Sequence, residues 1–146
     1  RLLGNIPGLT ALLSPDGKKI VYAKAEGKGL ETHFYDIATG ADAFFPANVL
    51  PEKCVWSTKD IEVIYCAAAN AIPSAIYPDS WYQGLFNFQD SIWKIYLDTL
   101  ETELLFDPSV EGEKFIDAVD LKLSKDEKAL YFTNKRDGTL WYLKVR

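Results

Sequence analysis

The sequence predicts an all-β fold assembled from repeated four-stranded antiparallel units, and three observations carry that expectation. A ten-residue phrase, "SPDGKKIVYA" at 14–23, recurs reworded as "STKDIEVIYC" at 57–66 and "SKDEKALYFT" at 124–133. A second phrase follows each copy: "THFYDI" at 32–37, "IWKIYL" at 92–97 and "LWYLKV" at 140–145 align position by position. Ser14 and Ser57, which open the first two copies, stand 43 residues apart, the length of one four-stranded unit.

Each element follows from local chemistry. Leu9, Ala11 and Leu13 alternate with polar residues ahead of the first phrase, Cys54 and Trp56 ahead of the second, and Val119, Leu121 and Leu123 ahead of the third. Alternation with β-branched and aromatic residues is the signature of a half-buried strand. Pro15-Asp16-Gly17 is turn chemistry, because Pro presets φ and Gly accepts positive φ. Ile20, Val63 and Leu130 fall six residues after the opening serine, and Tyr22, Tyr65 and Phe132 eight after it. Each phrase therefore reads as a hairpin of two strands, and the "THFYDI" family as a third strand. Turns at Ala38-Thr39-Gly40 and Asp98-Thr99-Leu100 lead into fourth strands, "DAFFP" at 42–46 and "ELLFDP" at 103–108. Four antiparallel strands repeating every 40 to 45 residues or so are the blades of a β-propeller.

The Ser-Pro-Asp-Gly-Lys-Lys-Ile phrase, its aromatic third strand and the Asp36-x-x-Thr39-Gly40 turn resemble the WD-repeat-like blades of TolB-type β-propellers. Residues 14–23 with 34–40 match best, 124–133 with Arg136-Asp137-Gly138 match well, and the middle copy lacks the Pro and Gly of its turn. The resemblance covers the chain except 69–90. It implies a fold rather than a function, since such blades serve unrelated proteins. The expected organisation is one propeller unit over 1–146: blade 1 at about 8–47, blade 2 at about 52–108, and blade 3 at about 116–146, completed by an N-terminal strand at 1–4. Three blades fall short of the usual four to eight or so. They are expected to be completed by missing sequence or by a second copy in a six-bladed homodimer. The apolar faces carrying Val21, Ile64 and Tyr131 drive that closure.

The stretch 69–90 breaks the repeat. It carries Tyr77, Trp81, Tyr82, Phe86 and Phe88, two acids, Asp79 and Asp90, and no Lys or Arg. In one reading it is a recognition loop on the rim, offering Tyr77, Asp79, Trp81, Tyr82, Phe86 and Phe88 to a protein or glycan. In the other, Tyr77, Trp81 and Phe88 pack down on the blades to order a long loop that Pro73 and Pro78 stiffen. Cys54 and Cys66 are predicted as near neighbours on one hairpin. Two buried free thiols are expected there, with a disulfide as the alternative.

Composition excludes several classes. The 146 residues hold 48% hydrophobic and 25% charged residues, enough to bury a core. No run of about 18 apolar residues is present, so no membrane insertion of this segment is expected. Net charge is −5 without a basic cluster, which argues against nucleic acid. The lone histidine, His33, falls in the third strand where Trp93 and Trp141 stand in the other units, and reads as a strand residue. No Gly-x-Ser-x-Gly or phosphate-loop motif occurs, and the turn aspartates Asp16, Asp126 and Asp137 serve their turns. No catalytic residue, metal or cofactor is therefore expected.

The functional expectation is a non-enzymatic binding or scaffold propeller. Two alternatives stand beside it: a gating module of a larger enzyme such as a prolyl-oligopeptidase-like peptidase, and a self-assembling block without a ligand. The chain begins at Arg1 and contains no Met, which fits a processed form or a fragment. An extracytoplasmic home is expected.

Overall fold

The computed structural model describes residues 1–112 and 115–145. Eleven strands among them form three antiparallel sheets. The first runs β1 (Thr10–Leu13), β2 (Lys19–Glu26), β3 (Gly29–Asp36), β4 (Asp42–Phe44) in sequence order across the sheet. The second does the same with β5 (Cys54–Trp56), β6 (Val63–Ala69), β7 (Asp90–Tyr96) and β8 (Thr102–Phe106). The third holds β9 (Ala118–Leu123), β10 (Ala129–Asn134) and β11 (Thr139–Lys144).

The repeated serine phrase is a hydrogen-bonded turn. Ser14 Oγ donates to Asp16 Oδ1 at 2.6 Å and accepts from the Lys19 N–H at 2.9 Å, while Asp16 Oδ1 also accepts from the Lys18 N–H. Ser124 and Asp126 repeat this network, with Ala129 and Lys128 as the donors. Gly17 has φ of 72°, and Glu127, its counterpart in the third sheet, has φ of 58°. A glutamate tolerates that left-handed geometry because its carboxylate has work elsewhere. It accepts from Ser57 Oγ, Thr58 Oγ1 and the Thr58 N–H of the second sheet's turn at 2.7 to 2.9 Å. The two turns that depart from the Pro-Asp-Gly wording therefore bind each other.

The sheets stack face to face. Leu12, Val21 and Phe34 of the first pack in one cluster with Trp56, Ile64 and Ile95 of the second. Val63, Tyr65 and Ile92 of the second cluster with Leu121, Leu130 and Phe132 of the third. Strand β6 is apolar on both faces because both are covered, and six of its seven residues are buried. The first and third sheets each keep one open face. On the first, Tyr22, His33 and Phe44 stack across three strands, with Asp42 and Glu31 hydrogen-bonded or ion-paired to them. On the third, Tyr131 and Tyr142 meet across a strand pair, with Leu140, Lys122 and Lys144 beside them. Val21 and Ile64 are fully buried, whereas Tyr131 lies on this open face.

Two expectations change. The N-terminal strand at 1–4 does not form, and the third sheet has three strands among the described residues. Just after residues 1–4, Asn5 and Gly8 take positive φ and Pro7 offers no N–H, so an extended run cannot continue from 1–4 into β1. Instead the Ala25 N–H donates to Pro7 O, and a Cβ at Gly8 would collide with the Tyr77 carbonyl oxygen. The segment belongs with blade 1 and the long insert. Arg146, the last residue assigned to blade 3, lies outside the described residues. The cysteines also depart from the expected free thiols: Cys54 and Cys66 form a disulfide, S–S 2.11 Å. Register explains it, since the two residues stand directly opposite on β5 and β6 with Cα atoms 4.1 Å apart.

Candidate functional site

The insert between β6 and β7 occupies 70–89 and contains one helical turn, α1 (Asp79–Tyr82). Its aromatics divide by face. Tyr77, Trp81 and Phe88 are buried, Phe86 is half-buried, and Asp79 and Tyr82 are exposed. The buried three form a cluster with Ala23 and Leu30 of the first sheet and Leu50 of the linker, and Val119 of the third sheet packs against it. Tyr77 meets Phe86 edge-on at 5.7 Å, Phe86 meets Phe88 edge-on at 5.1 Å, and Trp81 tilts against Phe88 at 5.7 Å. Edge-to-face pairs favour a fixed arrangement over free rotation. Tyr77 also closes its own loop by donating to Pro73 O at 2.5 Å. The insert is thus a clamp across all three sheets, and three of its six candidate binding residues are spent on packing.

Beneath it lies a fully buried ionic knot. Lys53 closes a single 3₁₀ turn, Pro51–Lys53, just before β5, and is 1% exposed. Its Nζ donates to Asp117 Oδ1 at 2.5 Å and to Ala118 O at 2.8 Å, and pairs with Asp90 Oδ2 at 2.7 Å. Asp117 also accepts from Trp81 Nε1 at 2.8 Å and the Phe88 N–H at 3.2 Å through Oδ2. Asp90 Oδ2 accepts the Ala118 N–H at 2.8 Å, while Asp90 Oδ1 has no partner among the described residues. The rings of Trp81 and Phe88 each lie 5.0 Å from Lys53 Nζ, adding cation–π attraction in a dry site. From the third sheet, Lys135 Nζ donates to Trp81 O at 3.1 Å.

Among the described residues one cation, Lys53, faces two carboxylates here, which leaves a negative charge over. Burial pushes the Asp90 carboxyl up to about 6 despite the neighbouring Lys53. Asp90 and Asp117 each stand at the threshold of a strand, and Lys53 ends a turn. Sequence reasoning missed Lys53 and Asp117, and counted Asp90 only as an acid of the insert. An acid directly before the first apolar residue of a strand is a weak signal, and nothing local marks Lys53 as buried.

The surface of the insert that faces away from the knot is apolar at its crest. Ile76 is 68% exposed and Leu85 70%, while Tyr82, 52% exposed, donates its hydroxyl to the carboxylate of Glu52, next to Lys53. Ile76, Leu85 and Phe86 line a cleft of about 360 Å³ with Lys28, Ser74 and Ser80. Its position is set from below, by the Ala75 N–H donating to Lys28 O and by the clamp just described.

Three stacked antiparallel sheets, each a meander in sequence order, give this chain the blade architecture of the β-propellers. It superposes on the crystal structure of TolB from Acinetobacter baumannii with a TM-score of 0.58, at 19% identity over 97% of this chain and 30% of that one. It superposes on a putative TolB from Agrobacterium tumefaciens with a TM-score of 0.58, at 15% identity over 97% of this chain and 50% of that one. The chain therefore spans about a third to a half of the length of these proteins, and shares their fold. No protein-family model matches the sequence, and no curated protein is similar to it in sequence.

Proposed function

We propose that this chain acts as a non-enzymatic binding module whose partner-facing element is the crest of the insert. The observation behind this reading is the contrast between the insert's two faces. One is locked by a buried knot and an aromatic cluster, and the other leaves Ile76 and Leu85 in solvent around a cleft. A rigid support with exposed apolar residues is the arrangement of a binding hot spot. The earlier candidates narrow accordingly: Tyr82, Asp79 and Phe86 remain at the surface, joined by Ile76 and Leu85. A protein is the proposed partner. The Cys54–Cys66 disulfide supports an oxidising, extracytoplasmic setting.

The test places photo-reactive p-benzoylphenylalanine at Leu85 in cells that express the native gene, with Thr39 as control. Thr39 sits in the turn between β3 and β4, at the opposite end of the sheets. A protein adduct at Leu85 and none at Thr39 is the expected result. Equal labelling at both sites, or none at Leu85, defeats the proposal.

We also propose that the open faces of the first and third sheets are covered by further blades. The two faces differ in charge: the first carries Asp42 beside its stacked aromatics, with Glu31 ion-paired to Lys24, and the third carries Lys122 and Lys144. A second copy supplies such blades when this segment is produced alone. Light scattering should then give about twice 16.4 kDa, and a stable folded species of 16.4 kDa refutes the pairing.

A further inference from the structure

A second groove lies at the base of the insert, away from the crest. In a meander, the link leaving the fourth strand and the link between the second and third strands lie at the same end of the sheet. That end gathers Asn48, from the link after β4, with Asn70, Asn87 and Gln89, from the insert. The chain has five Asn and two Gln, and these four are all exposed around two clefts that share Asn70. The first cleft, of about 290 Å³, runs from Asn48 to Asn70 past Trp93 and Thr102. The second, of about 310 Å³, runs from Asn70 to Asn87 and Gln89. Strand β6 makes the space by ending in Ala67-Ala68-Ala69, two of which form the floor where larger side chains would fill it.

The lining excludes most ligand classes. A quarter of the chain is charged, yet among the described residues neither cleft has a charged one on its walls. Nothing there would pair with a phosphate, a carboxylate or an amine. Charge enters only beyond Gln89, where a third cleft reaches Asp107. Each primary amide offers two donors and an acceptor on one planar group, which matches a hydroxyl that both donates and accepts. Trp93 is half-buried, held in β7 against the core, and adds a ring edge or face with a polar tip. A peptide cannot add here as a strand, because β7, which carries Trp93, is already bonded to β6 and β8.

We propose that this amide-lined groove, centred on Asn70 with Trp93 on its wall, binds a neutral oligosaccharide. The site is independent of the protein-docking crest. The test is calorimetric titration with N-acetylchitotetraose, cellotetraose and maltotetraose, with tryptophan fluorescence as a second readout. At least one of them should bind with Kd below about 1 mM. Asn70→Ala and Trp93→Ala should each weaken that binding roughly tenfold or more, a loss of about 1.4 kcal/mol. Asn70 is exposed, so its variant should keep the parent thermal midpoint, whereas Leu85→Asp on the crest should bind the saccharide as the parent does. The proposal is overturned if none of the three binds up to about 10 mM, or if both groove variants keep full affinity. Displacement of the bound saccharide by the uncharged, end-blocked peptide Gly-Ser-Gly-Ala would also overturn it, by assigning the groove to polypeptide.

Discussion

An Asp117→Asn protein is expected to lose about 3 to 5 kcal/mol of stability, while Asp90→Asn, a few ångströms away, changes it by about 1 kcal/mol or less at pH 7. The two aspartates flank the same lysine, so charge alone does not separate them. The difference lies in how many oxygens each uses. Asp117 accepts on both: Lys53 on Oδ1, Trp81 and the Phe88 N–H on Oδ2. An amide there must turn its NH₂ group toward one of those donors, leaving buried donors opposed and unsatisfied. Among the described residues Asp90 accepts only through Oδ2, and Oδ1 faces no partner. An asparagine keeps its oxygen in the used position, puts its NH₂ in the unused one, and removes the surplus negative charge.

The pair also differs in its response to acid. Asp90 titrates at about 6 in the folded chain against an ordinary value of 3.8. Between those values the folded state binds the extra proton and the unfolded state does not, so this group's contribution to stability rises as pH falls. The gain reaches about 1 kcal/mol by pH 5. Turn carboxylates work the other way. Hydrogen bonds from Ser14, Ser124 and Thr139 hold Asp16, Asp126 and Asp137 below the usual carboxylate range, so their contribution is full at pH 5 and is lost only on further acidification. Urea midpoints at pH 7 and pH 5 check this. The parent should gain relative to Asp90→Asn on acidification, and a constant difference between them contradicts the assignment.

Reducing the Cys54–Cys66 disulfide is expected to cost about 3 kcal/mol, the loop-closure entropy of a segment of about a dozen residues. For a chain of this size that is a fall of roughly 10 °C in Tm. The bond closes β5, its turn and β6, the hairpin that is covered on both sides and on which the other two sheets stack. Its loss therefore loosens the central sheet rather than an edge. Thermal melts with and without tris(2-carboxyethyl)phosphine test it, and coincident melts would show that the bond adds nothing. A Cys54→Ala, Cys66→Ala double variant should match the reduced chain to within about 1 kcal/mol, the difference being the lost packing of two small side chains.

The strands were legible in the sequence because their causes are local. Alternation at Leu121 and Leu123, the serine turns, and the aligned "THFYDI" family depend on neighbours within a few residues. Repetition then multiplied a weak signal into three sheets in the expected order. The 24-residue excess between the second and third phrases marked the insert for the same reason. For the aromatics of 70–89 the sequence offered two readings, and the one in which Tyr77, Trp81 and Phe88 pack down on the blades is the one the fold adopts for those three; what it could not show is which surfaces receive them. Burial of Tyr77, Trp81 and Phe88 depends on Ala23, Leu30 and Val119, which reach them from sheets far along the chain. The knot is similar: Lys53, Asp90 and Asp117 look like ordinary surface charges until three strand thresholds converge on one point. Residues 1–4 join no sheet within this chain, and the positive φ at Asn5 and Gly8 that separates them from β1 is set by backbone sterics the Leu2-Leu3 pair gave no sign of. Only the tertiary structure could choose a disulfide over two thiols, since that choice rests on a register in which Cys54 faces Cys66 directly, and a shift of one residue would turn their side chains to opposite faces.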